Sequence, residues 1–146
     1  MHTAHQLLSD LCAHLKLQAP PAPEEGEAVV GIDFGEDLLV FISAEEPWLT
    51  VYSRLGVLGA EQTELLEQLF DANLFWQGTG AATLAFERFS RSVVLQQRAL
   101  ADSLDLRALE ELVKDFAQEA ERWIQVIETV GKADEPLAAP VYAQTV

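Results

Sequence analysis

The chain is expected to form an α+β domain, a twisted antiparallel sheet covered by helices. Three observations predict this. β-rich runs come in pairs separated by short turn signals, so hairpins account for most of the strand connections. Apolar segments with helical spacing stand at both ends and between the strand pairs. The apolar fraction, 49% of 146 residues, suffices for one core without disulfides or metal. The order of elements reads α-β-β-β-α-β-β-α, which hairpins assemble into one antiparallel sheet.

Each element has its own signal. Thr3 and Gln6 fit a capping box, with Ala4, Leu7, Leu8, Leu11, Cys12 and Leu15 following at helical spacing to about Leu17. Residues 18–28, rich in proline and acid, read as an exposed connection. "AVVGIDF" and "DLLVFIS" then form a hairpin across Gly35-Glu36. After the "AEEP" turn, "WLTVYSRLGVL" is a third strand, with Trp48, Thr50 and Tyr52 on one face and Leu49 and Val51 on the other.

Gly59 and Ala60 open a second helix that ends near Trp76, with Leu65, Leu66, Leu69, Phe70 and Asn73 as its stripe. "AATLAFERF" and "SVVLQQRAL" pair across Ser90-Arg91. Asp105 caps a final helix whose apolar positions, from Leu106 to Ile127, recur for about six turns. Gly131 stops it. Residues 1–130 thus make a single domain, and 131–146 are expected to be a mobile tail.

Charge is the most unusual bulk property. There are 24 acids against nine bases, a formal net charge of −15. The acidity is uneven: 14 acids face two bases (Lys16 and Arg54) up to Glu87, and 10 face seven beyond it. Such a field repels nucleic acid and anionic membranes and attracts basic or weakly charged proteins. It also keeps a domain soluble. One cysteine, Cys12, excludes an intrachain disulfide framework and fits a reducing compartment. The N-terminus lacks the pattern of a signal peptide, and no apolar run approaches the ~20 residues that span a bilayer. A cytosolic protein is expected.

Candidate chemistry is sparse. Gly78-Thr79-Gly80 invites a phosphate-loop reading, but that site needs a strand, then the loop, then a helix. Here a helix precedes and a strand follows, the loop has no lysine, and the local charge is negative. It reads as a joint. His2, His5, His14 and Cys12 invite a metal, yet His5 and Cys12 lie roughly 10 Å apart along a helix. Cys12 reads as a small core residue, and no metal or cofactor is expected. Ser9 and Ser53 lack a nucleophile motif. The acid pairs Glu24-Glu25, Glu36-Asp37, Glu45-Glu46 and Glu110-Glu111 fall in turns or on polar helix faces, where solvated carboxylates are ordinary. No catalytic residue is assigned, and an enzyme is not expected.

What stands out instead is surplus apolar surface. In "TELLEQLFDANLFWQ" the apolar residues cover more than the one stripe that packing on a sheet requires. The excess is either deep core or a face buried by another subunit.

Read together, "LLSDLCAHLKL", "VVGIDFGEDLLVFIS", "LTVYSRLGVL", "LLEQLFDANLFWQGTGAATLAFERFSRSVVLQQRAL" and "FAQEAERWIQVI" resemble, in order and over residues 4–128, the small acidic chaperones of bacterial type III secretion. This is the class I family typified by the chaperone of the translocated intimin receptor. The Pro-rich connection and the tail have no family counterpart. The resemblance implies a homodimer in the bacterial cytosol that binds the N-terminal segment of an effector protein, keeps it extended, and passes it to the secretion ATPase without hydrolysing nucleotide. It further implies effector grooves built from the first helix and neighbouring strands, here Leu7, Leu8, Leu11, Leu15, Val30, Ile32, Leu39 and Phe41. Dimer contacts would come from Leu65, Leu69, Phe70, Leu74, Phe75 and Trp76, then Leu84 and Phe86. Each of these also has a plain core reading. A regulatory or immunity-type module acting on a folded partner, and a small hydrolase using the carboxylates, are the rival classes. They predict respectively a compact patch and a pocket with a carboxylate of raised pKa.

Overall fold

The computed structural model describes residues 3–21 and 26–131. The first helix, α1 (Ala4–His14), starts as the sequence requires: the Thr3 hydroxyl accepts from the Gln6 amide at 3.0 Å. The reciprocal half of the capping box is absent, because the Gln6 side chain donates instead to Asp10 one turn on. Two further amides of the first turn are held from a distance. The Glu46 carboxylate accepts from the amides of Ala4 at 2.7 Å and His5 at 3.0 Å, so the turn between two strands caps the helix. The helix stops before the expected Leu17, with Lys16 in the left-handed region.

Five strands make one antiparallel sheet. They are β1 (Glu27–Gly35), β2 (Leu38–Glu45), β3 (Trp48–Val57), β4 (Thr83–Glu87) and β5 (Ser92–Leu100), in spatial order β1-β2-β3-β5-β4. The connection expected over 18–28 is thus shorter at its end, since Glu27 and Ala28 already pair with Glu45 and Ala44. Glu36 and Asp37 turn the first hairpin with φ of 50° and 67°, the two positive values that match the twist of the flanking strands.

Alternation decides which face is inside. Val30, Ile32, Val40, Ile42, Leu49, Val51, Leu55, Val93, Leu95 and Leu84 are buried. They meet α1 and the long α3 (Leu106–Gly131), which Asp105 caps through the Ala108 amide at 2.7 Å. Leu109, Val113, Phe116, Ala120, Trp123 and Ile127 are its buried stripe. The helices therefore cover one face of the sheet rather than both. His14 of α1 pairs with Glu110 of α3 at 2.5 Å, linking the two helices. Cys12 is buried, and that burial pushes its thiol pKa up, away from reactivity.

The second helix, α2 (Thr63–Asn73), begins later than Gly59, because the Gln62 side chain accepts from the Gly59 amide and closes a turn there first. Leu74–Trp76 continue as one 3-10 turn. The joint at Gly78-Thr79-Gly80 follows from close packing. A Cβ on Gly78 would lie 2.7 Å from Ala72 Cβ, and Gly80 has φ +65°. The Gly78 carbonyl accepts from Trp123 Nε1 at 3.0 Å and from Arg122, which fastens the joint to α3.

Candidate protein-binding surfaces

Three surfaces lack a partner among the described residues. The first lies on the outer side of α2 and the turn after it. α2 buries Leu65 and Leu69 but turns Phe70 outward at 77% exposure. Leu74, Phe75 and Trp76 are also exposed, Phe75 at 83%. Phe75 and Trp76 have φ of 50° and 57°, left-handed values that cost about 1–2 kcal/mol each for a residue with a side chain. Backbone strain that displays aromatic rings to solvent points to a use for the rings. Arg91 ties the neighbouring β4–β5 turn to the entry of α2, donating to the carbonyls of Leu58 at 2.8 Å and Gly59 at 3.0 Å. At the tip of that turn Phe89 is 89% exposed.

The second surface is the helix-free face of the sheet. Val29, Gly31, Leu39, Phe41, Thr50, Tyr52, Val94, Gln96 and Arg98 occupy the positions between the buried ones, and all are half-buried or exposed. Phe41 and Tyr52 face each other across β2 and β3 with ring centroids 5.4 Å apart. Burial, and then the Glu27 carboxylate, push the Tyr52 phenol pKa up. One register row away, the Arg98 guanidinium lies 3.6 Å over the Trp48 ring.

The third is the edge of β1, which pairs only with β2 among the described strands. The opposite edge is closed near the start of β4, because the Asn73 side chain bonds the backbone of Leu84.

Against this geometry the residues expected to bind divide clearly. Leu7, Leu8, Leu11, Val30 and Ile32 are in the core, where they fill the space between α1 and the sheet and offer no surface. Leu15 is half-buried against that core. Leu39 and Phe41 lie on the helix-free face and are half-buried. Of the residues expected at a dimer contact, Leu65, Leu69 and Leu84 are buried and Phe86 is half-buried, its ring 5.3 Å from the Arg91 guanidinium. Phe70, Leu74, Phe75 and Trp76 are the exposed members. Trp48 and Arg98 were not among the expected contacts; the alternation of β3 placed Trp48 on a face, but nothing local says which face helices cover.

Two open grooves run along α3. One of about 710 Å³ includes Thr79, Gln97, Glu111, Asp115, Glu119 and Arg122; one of about 490 Å³ includes Phe34, Glu36, Asp37, Lys114, Glu121 and Glu128. Among the described residues no cluster of histidine, cysteine and carboxylate could hold a metal ion. Likewise no described helix is long and apolar enough to cross a membrane.

Comparison with known proteins gives a consistent answer. The family model described as "Tir chaperone protein (CesT) family" matches residues 6–124. No curated protein sequence matches the chain. Among solved structures, a chain of the ExsC–ExsE complex superposes with a TM-score of 0.67 at 21% identity, covering 92% of this chain and 95% of that one. A chain of the heterodimeric ExoU–SpcU complex from the type III secretion system of Pseudomonas aeruginosa gives 0.65 at 18% identity, covering 81% and 95%. A chain of the structure of the Yersinia pestis type III secretion chaperone SycH with a fragment of YscM2 gives 0.61 at 19%, covering 82% and 98%. At these identities the structural likeness is one of fold.

Proposed function

The chain belongs to the Tir chaperone protein (CesT) family, and we propose that it is a homodimeric type III secretion chaperone that holds the N-terminal segment of an effector protein ready for export. The observation that carries this reading is the pairing of two kinds of open surface on one small fold. An exposed apolar cluster at Phe70, Leu74, Phe75 and Trp76, strained at Phe75 and Trp76, fits a second copy of the chain. A helix-free sheet face and an unpaired β1 edge fit a segment with no fold of its own.

The division of labour follows from chemistry. Main-chain groups on the β1 edge bond an extended chain whatever its sequence, while Leu39, Phe41 and Tyr52 receive apolar side chains. This form of capture needs neither a reacting group nor a cofactor, so we read the protein as acting by binding alone. Two structures of similar fold support the same reading: the HopA1–SchA structure is a chaperone–effector complex, and SycH is a type III secretion chaperone in complex with a fragment of YscM2. A cytosolic site of action in a bacterium, and hand-over to the secretion ATPase, complete the proposal. The net charge of −15 would keep a dimer with exposed apolar grooves from self-associating further.

Co-expression with the N-terminal ~100 residues of secreted proteins encoded nearby tests the reading, since coupled binding should order such a segment. Capture of one segment, with its protease sites protected only in the complex, is the expected result. Failure to capture any of them would remove the chaperone reading.

A further inference from the structure

Resting on the effector-binding reading above, we propose that the helix-free face selects a partner segment carrying a carboxylate two residues from an apolar side chain, the carboxylate seated on Arg98 and the apolar group on the Tyr52 side of the Phe41–Tyr52 pair. This is opposite to what the bulk charge predicts. A chain of net charge −15 should prefer basic peptides over most of its surface.

Arg98 is built to receive an anion. Its guanidinium lies 3.6 Å over the Trp48 ring, a stack that covers one face of the planar group. Stacking leaves the in-plane N–H groups free, and these form the fork that bonds a carboxylate twice. Among the described residues no carboxylate pairs with it. The side chain is exposed, yet its position is fixed by the indole beneath. A pre-organised cation loses less side-chain entropy on pairing than a free one.

The neighbourhood supplies the second half. Thr50, one residue pair from Tyr52 on the same face, is the register partner of Arg98. The next row holds Gly31, Phe41, Tyr52 and Gln96, in which the stacked aromatic pair lies beside a glycine that leaves room above the sheet. Arg98 stands one row along and one strand across from Tyr52, roughly 8 Å between backbone positions and close to the ~7 Å i, i+2 spacing of an extended chain. Arg54 lies on the same face but is a poorer anchor for an incoming segment, because it is half-buried with its Nε out of contact with solvent, whereas Arg98 is exposed.

Three fluorescein-labelled synthetic peptides test this on the full chain by anisotropy at about 0.15 M salt, where long-range attraction is screened. They share one extended leucine- and isoleucine-bearing sequence and differ only in the residue two positions from the apolar one: glutamate, glutamine or lysine. The glutamate peptide is expected to bind about tenfold tighter than the lysine peptide. Arg98→Glu should invert that order, and Arg98→Lys should lose most of the preference, since a lysine has no planar fork. Far-ultraviolet dichroism confirms that each variant is folded. Tighter binding of the lysine peptide, an order unchanged by Arg98→Glu, or no binding of any of the three would overturn the proposal. Capture of an effector segment on co-expression, alongside such a failure, would leave the chaperone reading standing and remove only the acidic preference.

Discussion

The side chain of Asn73 bonds the backbone of Leu84 at both of its polar groups, donating from Nδ2 to the carbonyl at 2.9 Å and accepting from the amide at Oδ1 at 2.8 Å. The last residue of α2 thereby behaves as one residue of a missing strand. It satisfies the outward-pointing groups near the start of β4 and prevents another strand from pairing there.

Replacing Asn73 by alanine should destabilise the fold by about 1–3 kcal/mol, the cost of leaving two partly buried backbone groups without partners. Asn73→Asp keeps the acceptor for the Leu84 amide but sets a carboxylate oxygen against the Leu84 carbonyl, and should cost at least as much as alanine. Urea unfolding at one fixed protein concentration measures both, since dimerisation would otherwise contribute to the apparent stability.

The aromatic cluster predicts the oligomeric state. Phe70→Glu together with Phe75→Glu places charge on side chains that the single chain leaves exposed, so the fold should persist. Light scattering should then report a mass near 16.1 kDa, against about twice that for the parent chain.

Gly78 is expected to resist any side chain. A Cβ there would meet Ala72 Cβ at 2.7 Å and Cα at 2.9 Å, which are helix atoms with little freedom to retreat. Gly78→Ala should cost about 1–3 kcal/mol through overpacking and loosen the link to Trp123. A lowered thermal midpoint with a changed indole emission would show both effects.

Acid should weaken the pairing of Glu110 with Lys114 on the same helix and, to a lesser degree, with His14 of α1. The hydrogen bond from Lys114 chiefly, with the charges of Lys114 and His14 assisting, holds the Glu110 carboxyl below the ordinary carboxylate range. A depressed folded pKa contributes stability that is present above the unfolded value and lost as pH falls through the folded one. Stability measured downward from about pH 4.5 should therefore fall more steeply for the parent chain than for Glu110→Gln. Equal slopes would show that neither the Lys114 nor the His14 pairing of Glu110 contributes to stability.

Much of this architecture is legible in the residues because the periodicities are clean. The alternation in "WLTVYSRL" and the intervals of three and four from Leu106 to Ile127 each follow from burying one face, and both appear as read. The role of the Gly78 joint follows from the helix-then-strand order, whereas the spatial order of the sheet, in which β5 rather than β4 pairs with β3, is not written in either strand. What stayed hidden depends on contacts far apart in the chain. Glu46 reads as a solvated turn acid, yet it caps a helix 41 and 42 residues away. Leu7, Leu8, Leu11, Val30 and Ile32 carry the same apolar signal whether they line a groove or fill a core, and only the packing of α1 on the sheet decides. Phe70, Phe75 and Trp76 differ from Leu65 and Leu69 by position on a helix whose end departs from regular geometry, which no local propensity encodes. Arg98 and Trp48 are 50 residues apart and meet only because β3 and β5 are neighbours.

The central claim is that two copies of this chain hold one effector segment, and the mass of the captured complex under native conditions tests it most directly. The account predicts two chains for one segment, and loss of that species when Phe70 and Phe75 are both replaced by glutamate. A complex of one chain with one segment, unaffected by those replacements, would contradict it.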